Sequence, residues 1–142
     1  MEVLRTAGVL NQRLTELLRP YGLTPTQYNV LRILRGAGAV GLTCGAVADR
    51  MLDPSPDVTR LLDRLQRRGL LERRRNPDDR RQVVSAIAPE GVRLLDVLDP
   101  VVEGFNRVQM ASLDQDHLLQ LRELLGRIRK WPTTGAEPLQ VV

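Results

Sequence analysis

A run of arginines in the middle of the chain carries the side chains best suited to contact with a polyanion. The stretch ERRRNPDDRRQVV, residues 72–84, holds five arginines in thirteen positions, with two adjacent aspartates among them. Residues 55–81 contain nine arginines and five acidic residues, so the chain's net charge of +4 is concentrated there. A local basic excess is typical of a nucleic-acid-binding surface, although a solvated charged surface gives the same count.

The aspartates in this run indicate a shaped loop rather than a diffuse basic patch. The sequence Asn-Pro-Asp-Asp at 76–79 is turn chemistry, because proline fixes one φ angle and Asn or Asp side chains bond to nearby backbone. A carboxylate beside an arginine can also hold the guanidinium in one orientation. Arg80 and Arg81 are therefore predicted to project from a fixed loop, and an arginine so held suits the negative potential of a narrow DNA minor groove.

The segment before this run predicts a helix with one apolar and one basic face. At about 100° per residue, four apolar side chains fall on one side of the helix. This side comprises Val58, Leu61, Leu62 and Leu65, and the residues opposite or flanking it are Pro56, Thr59, Arg60, Asp63, Arg64 and Arg67. Arginine can bond guanine through two donors, and the free N–H groups of a first helical turn suit a phosphate. The pattern is that of a helix that enters a DNA major groove.

Two short helices joined by a tight connection are predicted over residues 43–68. The first spans 43–52, after which the Asp-Pro and Ser-Pro pairs at 53–56 break the chain. Ser55 is the predicted cap of the second helix and Pro56 its first residue. Two short helices, of which the second is the more basic, are a helix-turn-helix signature.

Longer helices and a hairpin complete the predicted fold, which is mainly α with a small β-hairpin wing. Helices are predicted at 2–19, 24–36, 91–111 and from about 114 to 130, and strands at 70–75 and 82–88. Pro100 is expected to kink the third of these helices, because it removes a backbone donor and clashes with the preceding turn. Residues 132–142 have no periodicity and are expected to be disordered.

Residues 55–91, SPDVTRLLDRLQRRGLLERRRNPDDRRQVVSAIAPEG, resemble the core signature of the multiple-antibiotic-resistance regulator (MarR) family of winged helix-turn-helix transcription factors. The most specific element is an Asp-x-Arg wing motif ten residues before a glycine, matched by Asp79, Arg81 and Gly91. The resemblance implies that Arg81 enters the minor groove and that Asp79 braces the wing. The chain departs from the family at residues 87–88, where Ile-Ala replaces a common Leu-Thr pair.

The resemblance also implies how the chain is organised and what it binds. Residues 1–22 and 92–131 are expected to form a helical dimerisation region around a winged helix-turn-helix domain at 23–91. The expected partner is double-stranded DNA, bound by a homodimer at a near-palindromic operator with half-sites about 10 bp apart. The expected regulator is a repressor that a small aromatic or phenolic effector releases.

The expected DNA contacts come from the second short helix and from the wing. They are Ser55, Pro56, Asp57, Thr59, Arg60, Arg64, Arg73, Arg75, Asp79, Arg80 and Arg81.

Three further features could suggest cofactor binding or catalysis, but their context favours a structural role. GAGAVG at 36–41 matches a dinucleotide fingerprint, but it follows a helix instead of a strand and is interpreted as a helix-ending loop. The single cysteine, Cys44, excludes an intrachain disulfide, fits a reducing cytoplasm, and is expected to pack as a small residue. His117 is the single histidine, so a zinc site would lack ligands. We therefore expect no cofactor, no metal, no membrane span and no enzymatic activity.

Two alternatives to a DNA-binding repressor remain open. The winged helix could serve as a protein–protein interaction module whose basic face meets an acidic partner. The thiol of Cys44, in the first turn of its predicted helix, could instead make the chain a redox-sensing regulator.

Overall fold

The computed structural model describes residues 1–52, 57–76 and 79–130, which are mostly helical with a small three-stranded sheet. The helices are α1 (Glu2–Leu18), α2 (Pro25–Ala37), α3 (Cys44–Ala48), α4 (Val58–Arg67), α5 (Pro89–Gln109) and α6 (Gln115–Arg129). The strands are β1 (Leu42–Thr43), β2 (Leu71–Arg75) and β3 (Val83–Ile87). The chain divides into two compact units, Met1–Val102 and Glu103–Val142. The fold class expected from the sequence is confirmed, and the tail expected to be disordered lies outside the described residues.

Helix α2 begins with a capping box formed by Thr24 and Gln27. Thr24 Oγ1 accepts a hydrogen bond from the Gln27 N–H at 3.2 Å, and Gln27 Oε1 accepts one from the Thr24 N–H at 3.0 Å. The helix extends to Ala37, one residue beyond its predicted end, and a 3-10 turn over Gly38–Val40 follows. The interpretation of GAGAVG as a helix-ending loop is therefore confirmed.

Helix α4 begins later than the sequence predicts. Its cap is Asp57, whose Oδ1 accepts a hydrogen bond from the Arg60 N–H at 3.0 Å, and its first residue is Val58. The prediction of Ser55 as the cap and Pro56 as the first helical residue is wrong, and both residues lie outside the described part of the chain. Aspartate and serine cap helices about equally well, so the local sequence permitted either start.

The sheet has β3 at its centre, with β1 and β2 antiparallel on either side. In the β2–β3 hairpin, Leu71 pairs with Ile87 at the base and Arg75 pairs with Val83 near the tip. This hairpin is the predicted wing. Strand β1 was not predicted, because two residues are too few to show an alternating pattern.

Gly91 allows helix α5 to lie directly on the start of the wing. A Cβ at this position would stand 2.2 Å from the Leu70 carbonyl oxygen and 2.8 Å from Ile87 Cγ1. The same carbonyl accepts a hydrogen bond from the Ala88 N–H at 3.1 Å. The glycine of the wing motif is therefore explained by a close approach between backbones.

One apolar core joins the first five helices and the sheet within the unit Met1–Val102. Its most deeply buried side chains, each less than 2% exposed, are Leu18, Val30, Leu31, Leu34, Val47, Leu62, Leu65, Leu71, Leu95 and Leu98. Helix α5 continues without interruption through Pro100, which is exposed. In an α-helix the N–H of residue 100 would donate to the Asp96 carbonyl, and proline has no N–H. Asp96 is exposed as well. The predicted kink stays a prediction.

Candidate nucleic-acid interface

Helix α4 has one buried and one exposed face, as its pattern predicts. The apolar side chains Val58, Leu61, Leu62 and Leu65 are all at most 9% exposed. On the other side, four side chains are exposed, namely Thr59, Arg60, Arg64 and Arg67. Burial of the leucine face fixes the rotation of the helix, and this rotation directs the threonine and arginine side chains to solvent.

Asp57 acts on both the backbone and the side chain of Arg60. One carboxylate oxygen caps the helix, and the other, Oδ2, lies 2.9 Å from Arg60 Nε. Because this contact uses Nε, the two terminal Nη groups of Arg60 remain available for a base edge or a phosphate. Arg60 is 77% exposed, so the pair contributes little to stability and acts on the orientation of the guanidinium.

Thr59 is held from two sides. Cys44 Sγ lies 3.6 Å from Thr59 Oγ1, and Arg73 Nη2 donates a hydrogen bond to the Thr59 carbonyl at 3.3 Å. Cys44 is half-buried at the start of α3, which agrees with the packing role expected for it. The turn of α4 that presents Thr59 is thus fixed by α3 and by β2.

The wing tip is braced through its backbone. Asp79 Oδ1 accepts a hydrogen bond from the Arg81 N–H at 3.0 Å, and the Asp79 carbonyl accepts one from the Gln82 N–H at 2.9 Å. The Gln82 carbonyl in turn accepts from the Asn76 N–H at 2.9 Å. Asp79 therefore fixes the peptide that carries Arg81, whereas the sequence suggested that a carboxylate holds the guanidinium itself.

The three consecutive arginines of β2 have different partners. Arg73 Nη1 lies 2.6 Å from Asp63 Oδ1, and its side chain is 22% exposed. Arg74 Nη2 donates to the carbonyl oxygens of Ala39 and Val40. Arg75 Nη1 donates to the Arg80 carbonyl at 3.3 Å. The DNA contacts predicted for Arg73 and Arg75 stay predictions, and of the two only Arg75 is exposed.

Among the described residues of α4 and of the wing, four exposed arginines form neither an ion pair nor a side-chain hydrogen bond. They are Arg64 and Arg67 on α4 and Arg80 and Arg81 at the wing tip. Arg67 was not among the expected contacts, although its place on the basic face of the helix pattern could have identified it. These guanidinium groups are the ones that phosphate or base edges can engage without breaking an existing pair.

A polar cluster connects α2 to α5. Asp99 Oδ2 lies 2.6 Å from Arg35 Nη2, and its Oδ1 accepts a hydrogen bond from the Tyr28 hydroxyl at 3.3 Å. Burial is the main cause that raises the pKa of the Tyr28 hydroxyl above 10.0, and the Asp99 charge raises it further. The Arg32 and Arg35 charges act in the opposite direction. No sequence pattern predicted this cluster, because its members are more than sixty positions apart.

A shallow groove of about 380 Å³ lies between the helix-turn-helix elements and the start of α5. It is lined by Tyr21, Arg68, Leu70, Glu90, Arg93, Leu94 and Val97. Arg93 pairs with Glu90, and Arg68 donates to the carbonyl oxygens of Gly22 and Tyr21. The groove therefore combines apolar side chains with two guanidinium groups and one carboxylate.

Neither metal ligation nor a membrane span is found in the described part of the chain. Within it, no group of three or more His, Cys, Asp or Glu side chains could hold a metal ion. His117 is 62% exposed and its Nδ1 lies 2.8 Å from Asp114, as suits a helix-surface residue. None of the described helices has the length and hydropathy that crossing a bilayer requires.

Comparison with known proteins gives one consistent result. The MarR family model matches residues 21–82. The uncharacterised HTH-type transcriptional regulator YsmB of Bacillus subtilis is 35% identical over 129 residues, which cover 85% of this chain and 86% of that protein. A MarR transcription factor from Planctomyces limnophilus is 35% identical with a TM-score of 0.68, covering 88% of this chain and 90% of that one. The PcaV transcriptional regulator of Streptomyces coelicolor, solved in complex with its natural ligand, is 28% identical with a TM-score of 0.74, covering 87% and 89%.

Proposed function

Because the chain belongs to the MarR family of DNA-binding transcriptional regulators, we propose that it binds its operator with helix α4 in the major groove and the wing tip in the minor groove. The observation that carries this proposal is the exposure of Arg64 and Arg81 on segments that neighbouring groups hold in place. Family membership makes the chain a regulator and not an enzyme.

The contacts divide by what each side chain can recognise. Arg60 and Arg64 suit guanine O6 and N7, and the Thr59 methyl group suits a thymine methyl. Arg81 suits the minor groove, where its charge meets the strongest negative potential. Donors to the phosphate backbone fix the register, and we assign this role to Ser55, Arg75 and Arg80. Asp57 acts through its contacts with Arg60, and Pro56, which has no N–H, offers only van der Waals contact.

A homodimer is the proposed assembly. Helix α1 exposes the apolar side chains of Val3, Leu4 and Val9, each at least 43% exposed. Within the second unit, helix α6 exposes Leu118, Leu119, Leu121, Leu124 and Ile128, each at least 36% exposed. Apolar faces of this kind are what an obligate dimer covers. We accordingly place dimerisation in 1–22 and 92–131, DNA binding in 23–91, and the operator half-sites about 10 bp apart by two-fold symmetry.

Repression relieved by a small aromatic or phenolic acid is the proposed regulation. The groove at Arg68 and Arg93 offers apolar side chains for a ring and two guanidinium groups for a carboxylate, which would compete with Glu90 for Arg93. Arg68 follows α4 directly, so a ligand that draws its guanidinium away from the Tyr21 and Gly22 carbonyls would change how α4 is held. An effector that binds the altered dimer better than the DNA-bound one lowers operator affinity. Such a regulator acts in the cytoplasm.

The DNA proposal is tested by selecting bound duplexes from random sequence and titrating the selected operator against salt. Wild-type protein should give a steep salt dependence, and Arg81→Ala should weaken binding about 10-fold and lower the slope by about one unit. Arg107→Ala is the control, because Arg107 is also exposed but belongs to α5 and not to α4 or the wing. Duplex binding by Arg81→Ala at wild-type affinity and slope would remove the wing from the interface.

The regulatory proposal is tested by release of the operator with a panel of aromatic acids. Arg93→Ala should raise the acid concentration needed for release, since a groove cation is lost, while operator affinity without acid is unchanged. Arg107→Ala again serves as the control, because Arg107 forms the same kind of exposed helical ion pair, with Glu103. Equal release of both variants would place the effector elsewhere. Binding of an acidic protein in place of duplex DNA would favour the interaction-module alternative.

A further inference from the structure

Arg73 of β2 is the only described side chain that joins the wing to α4 by an ion pair. Its Nη1 lies 2.6 Å from Asp63 Oδ1, and its Nη2 donates to the Thr59 carbonyl at 3.3 Å. Both acceptors are on α4, four residues apart, so they lie on the same face of that helix. A planar guanidinium with two donors fixes both the distance and the angle between two such elements.

We propose that Arg73 is a positioning residue that sets the spacing between the recognition helix and the wing tip, and does not itself contact DNA. This inference rests on the proposed function of α4 and Arg81. A phosphate contact would require a free, exposed guanidinium, whereas that of Arg73 is 22% exposed and both its terminal nitrogens are engaged. The ion pair is also screened less than the exposed pair of Asp57 and Arg60.

The geometry of the hairpin makes Arg81 sensitive to this connection. Ser85 is the cross-strand partner of Arg73, and Arg81 lies four residues further toward the tip. At about 3.3 Å per residue, Arg81 lies roughly 13 Å further along the hairpin than Arg73. A rotation of the hairpin by about 10° would therefore displace Arg81 by about 2 Å, more than a hydrogen bond tolerates.

Arg74 provides a matched control on the same strand. It has the same charge and the same stem, but as the next residue it lies on the opposite face of the sheet. Its guanidinium donates to the Ala39 and Val40 carbonyls, in the turn before β1, and not to α4. Replacement of Arg74 thus removes an equal charge without cutting the connection between the wing and the recognition helix.

The test is a double-mutant cycle on operator affinity, measured by fluorescence anisotropy at fixed salt. Arg81→Ala should weaken binding about 10-fold in the wild-type background and in Arg74→Met, but at most about 2-fold in Arg73→Met, because the wing is already misplaced there. Far-UV circular dichroism and thermal melting of each variant establish that folded protein is compared. Asp63→Ala, which keeps Arg73 but removes the carboxylate that accepts from it, should reproduce the reduced effect and serves if Arg73→Met does not fold.

The outcomes separate the inference from the function on which it rests. If Arg81→Ala weakens binding equally in the Arg73→Met, Asp63→Ala and wild-type backgrounds, Arg73 does not position the wing and the inference fails alone. If Arg81→Ala has no effect in wild-type protein, the proposed wing contact fails, and the inference fails with it. A 10-fold effect confined to the wild-type and Arg74→Met backgrounds supports both.

Discussion

Replacement of Gly91 by alanine adds only one methyl group but should lower the free energy of unfolding of the DNA-binding unit strongly. The new Cβ would stand 2.2 Å from the Leu70 carbonyl oxygen, more than 1 Å inside the usual contact distance of about 3.5 Å. Leu70 is 4% exposed and its carbonyl accepts the Ala88 N–H, so neither side can move without loss of packing or of that hydrogen bond. Overpacking costs about 1–3 kcal/mol and a lost buried hydrogen bond a further 1–3 kcal/mol. The expected loss is therefore about 2–6 kcal/mol.

Urea denaturation at fixed protein concentration measures this loss, with Gly36→Ala as the matched control. Gly36 lies in the last turn of α2, and a Cβ there would meet nothing within 4 Å. Alanine at position 36 should raise stability by up to about 1 kcal/mol, because it favours helix more than glycine does. If Gly91→Ala were as stable as Gly36→Ala, the short distance from position 91 to the Leu70 carbonyl would not restrict the side chain there.

Three further predictions concern single side chains. Asp79→Asn should bind operator within about 2-fold of wild type, because an amide oxygen can still accept the Arg81 N–H. Asp79→Ala has no such acceptor and should bind about 5–10-fold more weakly. Equal losses of affinity for the two variants in a gel-shift titration would show that the negative charge is what matters. Cys44→Ser should keep DNA binding and effector response, and loss of peroxide-induced release in this variant would instead identify Cys44 as a redox sensor. The pKa of Tyr28 is raised in the folded protein, so its contribution to stability is present below pH 10 and is lost as the pH rises through the folded-state pKa. In alkaline denaturation, Tyr28→Phe should therefore lose less stability than wild type between pH 9 and pH 11.

The parts of the fold that follow from local chemistry were predictable from the sequence. The capping box of α2 needs only Thr24 and Gln27, three positions apart, and the buried face of α4 needs only the spacing of its leucines. The wing followed from two short strand-like segments on either side of turn residues. Each of these features is decided within about one or two turns of chain.

Features that depend on contacts between distant segments were not predictable. The start of α4 depended on whether Asp57 or Ser55 supplied the capping oxygen, and local preference does not separate them. Arg73 looked like one more basic side chain, because the sequence does not show that Asp63 lies 2.6 Å from it. The same holds for Arg35 and Asp99, which meet only when α2 packs on α5.

The arginines that hold the fold together have a practical consequence for chemical labelling. Arg68, Arg73 and Arg74 each donate to two acceptors, a geometry that lysine cannot reproduce, and the chain has a single lysine, Lys130, against 20 arginines. Amine-reactive dyes and immobilisation reagents can therefore attach only at Lys130 and at the chain's amino terminus. Neither position belongs to α4 or to the wing, so the protein can be coupled to a fluorophore or a sensor surface while every guanidinium expected to meet DNA stays unmodified.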